Sequence, residues 1–145
     1  VKSEKLKTLK EPVLRLTPRA NEANPRGDIF GGWVMSQFDL AGMLIGNKEM
    51  TSSFATVAVK EMTFKHPIFV FDEVSIYGEV IHRGNTSFTV ELAAYAKRAS
   101  ERYQNEPILI GTAQIVYAAI KKPGEKNEKV VFIPNDDLSH CDIKH

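Results

Sequence analysis

The residues best suited to chemistry lie in one stretch, "NPRGDIFGGWVMSQFD", residues 24–39. Its second half is largely apolar yet ends in a carboxylate, Asp39, after which "LAGMLIG" is apolar again. An ionised carboxylate among apolar side chains is costly unless a partner or a raised pKa relieves it. At helical spacing the neighbours of Asp39 are Met35, Ser36, Gly42 and Met43, none of them cationic. Two readings stand. Ser36, a backbone amide or a wet crevice satisfies the acid, or Asp39 is a general base or nucleophile in a dry pocket. Gly31 and Gly32 add a second group. At a helix start their N–H groups are uncovered where the dipole is positive, and without side chains a substrate oxygen can come close. That outlines an oxyanion hole; the same glycines also suit close packing against a strand. "GDIFGG" is not a phosphate loop, because no Lys-Ser/Thr follows it.

Gly31 and Asp39 are eight residues apart, about 12 Å along one helix. One carbonyl cannot touch both. If both act on one substrate they must come from different chains, so the spacing predicts a dimer with composite sites. Asn24 lies close by in sequence. Its amide can hydrogen-bond the same carbonyl, although the commoner use of Asn in such a place is to shape a turn.

These groups need elements to position them. "VLRL" (13–16) is a short strand, and 20–28 is a loop of turn-forming residues. From about Gly31 to Glu49 the pattern predicts one helix, about 28 Å long. Apolar residues cover most of its faces, which argues for burial all round, and Gly42 and Gly46 would let another backbone or a sheet approach. The pattern then changes to period two. Strands are expected at 54–64, with a bulge near Lys60 and Glu61, at 73–82, at 86–97 after the hairpin turn "HRGNTS", and at 108–120. Consecutive strands with short connections pair antiparallel. The expected class is α+β: a curved antiparallel sheet wrapped round one long central helix. The expected layout is a single domain over 1–145, with a core of about 12–120 and a charged tail, 121–145, that adds little to it.

Bulk properties narrow the partners. The chain has 145 residues, enough for one core, with 43% hydrophobic and 26% charged residues. A net charge of +1 gives no global field towards nucleic acid or an anionic membrane, so an anionic ligand must be recruited by local basic groups. No apolar run approaches the ~20 residues of a membrane span, and "VKSEKLKTLKEP" has no apolar core of a secretory signal. The one cysteine, Cys141, allows no internal disulfide, in keeping with a reducing compartment.

The stretch 24–39 resembles the signature of hot-dog fold acyl-CoA thioesterases of the YciA type. "VAVKEMTFKHPIFVFDEV" (57–74) and "GNTSFTVELAAYAKR" (84–98) are similar to later segments of those enzymes, so the resemblance spans roughly residues 12–120. It implies a hot-dog fold assembled as dimers, often three dimers to a hexamer. It implies hydrolysis of acyl-CoA thioesters in the cytoplasm with no metal or other cofactor. By position, the resemblance makes Asp39 the catalytic carboxylate, Asn24 the loop amide that polarises the thioester carbonyl, and Gly31 the helix-start amide. Asn24 and Asp39 would meet across the dimer interface. One departure is Pro25-Arg26-Gly27-Asp28, where a member of that family reads Asn-Gly-Asp.

A thioester carbonyl is already electrophilic, so Asp39 would activate water or attack directly to form an anhydride. CoA brings phosphates, for which Arg83, Lys97, Arg98 and Arg102 are candidate contacts, with Thr86 and Ser87 in the hairpin. Gly32 is a further candidate substrate contact at the helix start. The acyl tail would lie by Trp33, Met35, Phe38 and Met43, unless these are core. His66 and His82, at strand ends, read as structural or exposed, and "HCDIKH" (140–145) as a terminal tail rather than a metal or Cys–His site. Two rivals remain. One is a non-catalytic acyl-CoA-binding module. The other is a hot-dog dehydratase acting on acyl carrier protein, which usually wants a histidine opposite the acid; residues 1–50 contain none.

Overall fold

The computed structural model describes residues 11–101, 106–120 and 132–133. Arg102, Cys141 and most of the tail lie outside them. The period-two segments form strands β1 (Leu14–Leu16), β2 (Phe54–Phe64), β3 (Glu73–Arg83), β4 (Ser87–Lys97) and β5 (Ile108–Ala119), and the apolar stretch forms one helix, α1 (Gly31–Glu49). The strands make one antiparallel sheet in the order β1-β3-β4-β5-β2.

That order departs from simple pairing of consecutive strands. β2 does not lie beside β3; it runs along β5 at the far edge of the sheet. The connection at 65–72 is no tight turn. It contains Pro67 and Phe71, the latter at φ 66, and it carries the chain from one side of the sheet to the other. By contrast β3 and β4 close as a hairpin, with the Gly84 N–H donating to the Ser87 carbonyl at 2.8 Å. β2 is irregular, with register shifts between Thr56 and Ala58 and between Val59 and Glu61. The second is the bulge expected near Lys60; each shift bends the strand and helps curl the sheet.

α1 lies in the curve. Val34, Phe38, Ala41 and Ile45 face Val74 and Ile76 of β3, Phe88, Val90 and Leu92 of β4, and Ile115 and Tyr117 of β5 in one core. Each fully buried apolar side chain contributes about 1.5–3 kcal/mol relative to exposure. The two helix glycines permit the close approach. A Cβ at Gly42 would sit 2.0 Å from the Tyr117 hydroxyl, and one at Gly46 would sit 2.5 Å from the Phe54 ring.

One expectation needs correction. The helix is not covered all round in the protomer: Gly31, Gly32, Met35, Ser36, Asp39, Leu40 and Met43 are exposed. One sheet can cover only one side of a helix, so the stripe through Met35, Asp39 and Met43 is left open. Of the segment beyond Ile120 only Phe132 and Ile133 are described, and they lie against the end of α1 and the core. Met50 bridges to Phe132, the Ile133 N–H donates to the Glu49 carbonyl at 2.8 Å, and Phe132 packs edge-on to Phe88.

Candidate active site

The loop before α1 is tied by Asn24. Its Oδ1 accepts the Arg26 N–H at 2.9 Å, its own N–H donates to the Asp28 carbonyl at 2.7 Å, and its carbonyl accepts the Gly27 N–H at 3.0 Å. Gly27 has φ 96, a conformation that favours glycine. Asn24 thus shapes the turn through Oδ1 and its backbone, which leaves the side-chain Nδ2 hydrogens for another acceptor. Phe30 caps the helix without a side-chain hydrogen bond, so first-turn amides keep donors to offer. A Cβ at Gly31 or Gly32 would meet nothing within 4 Å. This open helix end borders a cleft of about 670 Å³, lined by Asn24, Arg26, Gly31, Lys65 and His66 among others.

Lys65, Arg26 and His66 are cationic or ionisable groups in that cleft which the sequence did not single out for it. His66 arrives from the β2–β3 connection, so a search for histidine within the first 50 residues does not find it. Its Nδ1 lies 2.9 Å from the Leu109 carbonyl. A carbonyl only accepts, so Nδ1 carries the proton, and Nε2 of the neutral ring is an acceptor.

Asp39 borders a different cleft, of about 260 Å³, with Met35, Ser36, Thr56, Val59, Met62 and Ile115. Asp39 is not enclosed in the protomer: it is exposed, on the open side of α1. Nor is Ser36 its partner. The Thr56 hydroxyl donates to Asp39 Oδ1 at 2.6 Å, and the Tyr117 hydroxyl donates between the Asp39 carbonyl at 2.9 Å and Oδ1 at 3.1 Å. Burial first, and then the nearby Asp39 charge, push the Tyr117 phenol above its ordinary range. It therefore stays protonated and remains a donor.

The two clefts have no lining residue in common. Asn24 and Gly31 come together; Asp39 does not join them within one protomer. Beside Asp39 runs β2, whose outer edge pairs with no strand among the described residues. Val57 and Val59 on it are 58% and 48% exposed.

The phosphate candidates scatter. Arg98 is spent inside its own chain: it pairs with buried Asp72, donates to the Pro67 carbonyl at 2.9 Å and covers the Phe69 ring. It is an anchor for the 67–72 loop, not a free phosphate ligand. Arg83 pairs with Glu49 at 2.5 Å and lies 5.0 Å from the Phe132 ring centre. Thr86 and Ser87 form the β3–β4 turn, with Thr86 exposed and its carbonyl accepting the Ala119 N–H. Lys97 lies with Arg15, Glu73, Ser75, Tyr77 and Tyr95 in a pocket of about 130 Å³. Of the four acyl-tail candidates, Phe38 is fully buried core, whereas Met35 and Met43 are exposed and Trp33 is half-buried. Among the described residues no group of His, Cys, Asp and Glu is arranged to hold a metal, and no helix is long and apolar enough to cross a membrane.

Comparison with known proteins agrees with this architecture. Residues 26–101 match the family model described as the thioesterase superfamily. The acyl-CoA thioester hydrolase YciA of Salmonella typhimurium is 32% identical over 115 residues, covering 79% of this chain and 86% of that protein. A protein of Buchnera aphidicola subsp. Baizongia pistaciae, named as an uncharacterized acyl-CoA thioester hydrolase, is 34% identical over 120 residues, covering 83% and 89%. The crystal structure of Cj0915, a hexameric hotdog fold thioesterase of Campylobacter jejuni, superposes with a TM-score of 0.76 at 30% identity, covering 92% of this chain and 97% of that one. A helix cradled by a curved five-stranded antiparallel sheet, together with these matches, establishes that the chain belongs to the thioesterase superfamily and has the hot-dog fold.

Proposed function

We propose that this protein hydrolyses acyl-CoA thioesters to a free acid and CoA, at a site assembled from two protomers. Asp39 of one protomer acts as general base or nucleophile. Gly31 and Asn24 of the other donate hydrogen bonds to the thioester oxygen, each donor worth about 3 kcal/mol to the transition state. Water adds to the carbonyl carbon, the carbon–sulfur bond breaks, and the proton taken from water returns to the sulfur or the solvent. The carrying observation is Asp39 itself: a carboxylate held by two hydroxyls at the mouth of an apolar cleft, beside a strand edge that pairs with no strand among the described residues.

The edge of β2 and the open side of α1 support a homodimer, because a second copy would cover both Val57 and Val59 and the stripe through Met35 and Met43. A hexamer of three such dimers fits the assembly of the Campylobacter relative. The whole chain acts as one catalytic domain, in the cytoplasm and in fatty acid metabolism. Lys65 and Arg26 join Lys97, Thr86 and Ser87 as the contacts on offer to CoA, with Gly32 beside the carbonyl.

A thiol-release assay on a panel of acyl-CoAs tests this reading. Hydrolysis without an added partner is expected, and Asp39→Asn should lower kcat by about 10²–10⁴-fold with fold and oligomer unchanged. Near-normal turnover by that variant would remove Asp39 from the mechanism. Tight binding of acyl-CoA with no thiol released would leave a binding module instead.

A further inference from the structure

We propose that Tyr117 is the positioning residue for Asp39, and that the absent side chain at Gly42 is what admits it. This rests on the reading of Asp39 given above. Tyr117 comes from β5, 78 residues from Asp39 along the chain. Its ring is buried, stacked on Phe88 with centroids 5.3 Å apart and edge-on to Phe54 at 5.8 Å. That packing fixes where its hydroxyl points. The hydroxyl reaches the helix at Asp39, within 2.9 Å of its carbonyl and 3.1 Å of Oδ1.

Gly42 makes the reach possible. A Cβ there would fall 2.0 Å from the hydroxyl and 2.7 Å from the carbon bearing it. No side chain larger than hydrogen is compatible with the ring in this place. One proton shared between the carbonyl and the carboxylate of the same residue sets the side chain against its own backbone, restricting its rotamer. Tyr117 and Thr56 both fall on Oδ1, which assigns Oδ2 as the reacting oxygen. The phenol does not exchange its proton in the cycle. Burial and the adjacent carboxylate hold that proton on, so the contact is present throughout the working pH range.

Tyr117→Phe keeps the ring and removes the hydroxyl. The full-length variant should lose about 10–100-fold in kcat while KM changes less than about twofold. The loss should be the same at pH 7 and pH 9, since a group that never titrates adds no pH dependence. Gly42→Ala, which displaces the hydroxyl by another route, should give the same pattern in whatever fraction folds. Asp39→Asn is measured alongside. If Asp39→Asn is active, the catalytic reading itself fails. If Asp39→Asn is dead and Tyr117→Phe turns over within twofold of the parent, or loses activity through KM alone, the role assigned to Tyr117 is wrong.

Discussion

Complementation between two inactive chains tests whether the site is shared. Gly31 and Asp39 belong to one rigid helix and lie eight residues apart, about 12 Å, in clefts with no lining residue in common. One chain carries Asp39→Asn with Gly31 intact. The other carries Gly31→Val with Asp39 intact; the valine enters open space, because a Cβ at Gly31 meets nothing within 4 Å, and fills the approach to the helix amide. Alone, each is expected to be nearly inactive. Co-expressed in equal amounts and mixed at random, a site draws its helix end from a Gly31-intact chain in half of cases and its carboxylate from an Asp39-intact chain in half. About one quarter of sites are then fully native, and this fraction is the same for dimers and for hexamers built from them. Thiol release per protomer should therefore recover to about one quarter of the native rate. A site contained within one chain recovers nothing, because every chain has one broken half. Activity of the mixture no greater than the mean of the two parents would refute the composite site and the distance reasoning behind it.

Two further expectations concern the groups that hold the site in place. Arg98→Met leaves Asp72, only 2% exposed, as an unpaired buried carboxylate; stability should fall by about 3–5 kcal/mol, roughly 10 °C in Tm, with KM for acyl-CoA unchanged. A higher KM at unchanged Tm would return Arg98 to the phosphate contacts. The raised pKa of Tyr117 has its own signature in alkali. Below the ordinary phenol value near 10, folded and unfolded chains both keep the proton. Above it the unfolded chain ionises while the folded one does not, so stability should fall with a limiting slope of about 1.4 kcal/mol per pH unit. Comparing denaturant midpoints of the parent and Tyr117→Phe between pH 8 and pH 11 isolates this contribution, and identical pH profiles would contradict it.

The sequence disclosed what depends on near neighbours. The helix from Gly31 to Glu49 and the four long strands were legible, because period and turn residues are local properties. So was the curved sheet around the helix, since four amphipathic strands had one large apolar object to cover. What depends on distant contacts was not legible. β2 lies beside β5, not β3, and no residue in the 65–72 connection announces which edge the chain will reach. Thr56 and Tyr117 meet Asp39 from 17 and 78 residues away; neither differs in type from an ordinary strand residue. The same holds for His66, whose place in the Gly31 cleft follows from where β2 ends. Arg98 looked like any surface cation, and only the fold reveals that Asp72 is buried beneath it.

The misreading of α1 has a physical cause. A helix apolar on most of its faces was expected to be buried all round, yet Met35, Leu40 and Met43 are 46%, 46% and 39% exposed in the protomer. Two apolar faces on one helix imply two surfaces to meet, and a single five-stranded sheet supplies one. In the proposed dimer the second surface is the partner. Covering Met35, Met43 and the β2 edge would remove water from around Asp39, which strengthens every electrostatic contact there, and would bring another chain's helix amides within reach. In that dimer a dry pocket for the acid, one of the two readings the sequence left open and one the protomer does not provide, is a property of the assembly. On that reading Thr56 and Tyr117 hold the geometry of the carboxylate before assembly, and the partner then supplies the oxyanion donors, which on the acid's own helix lie some 12 Å out of reach.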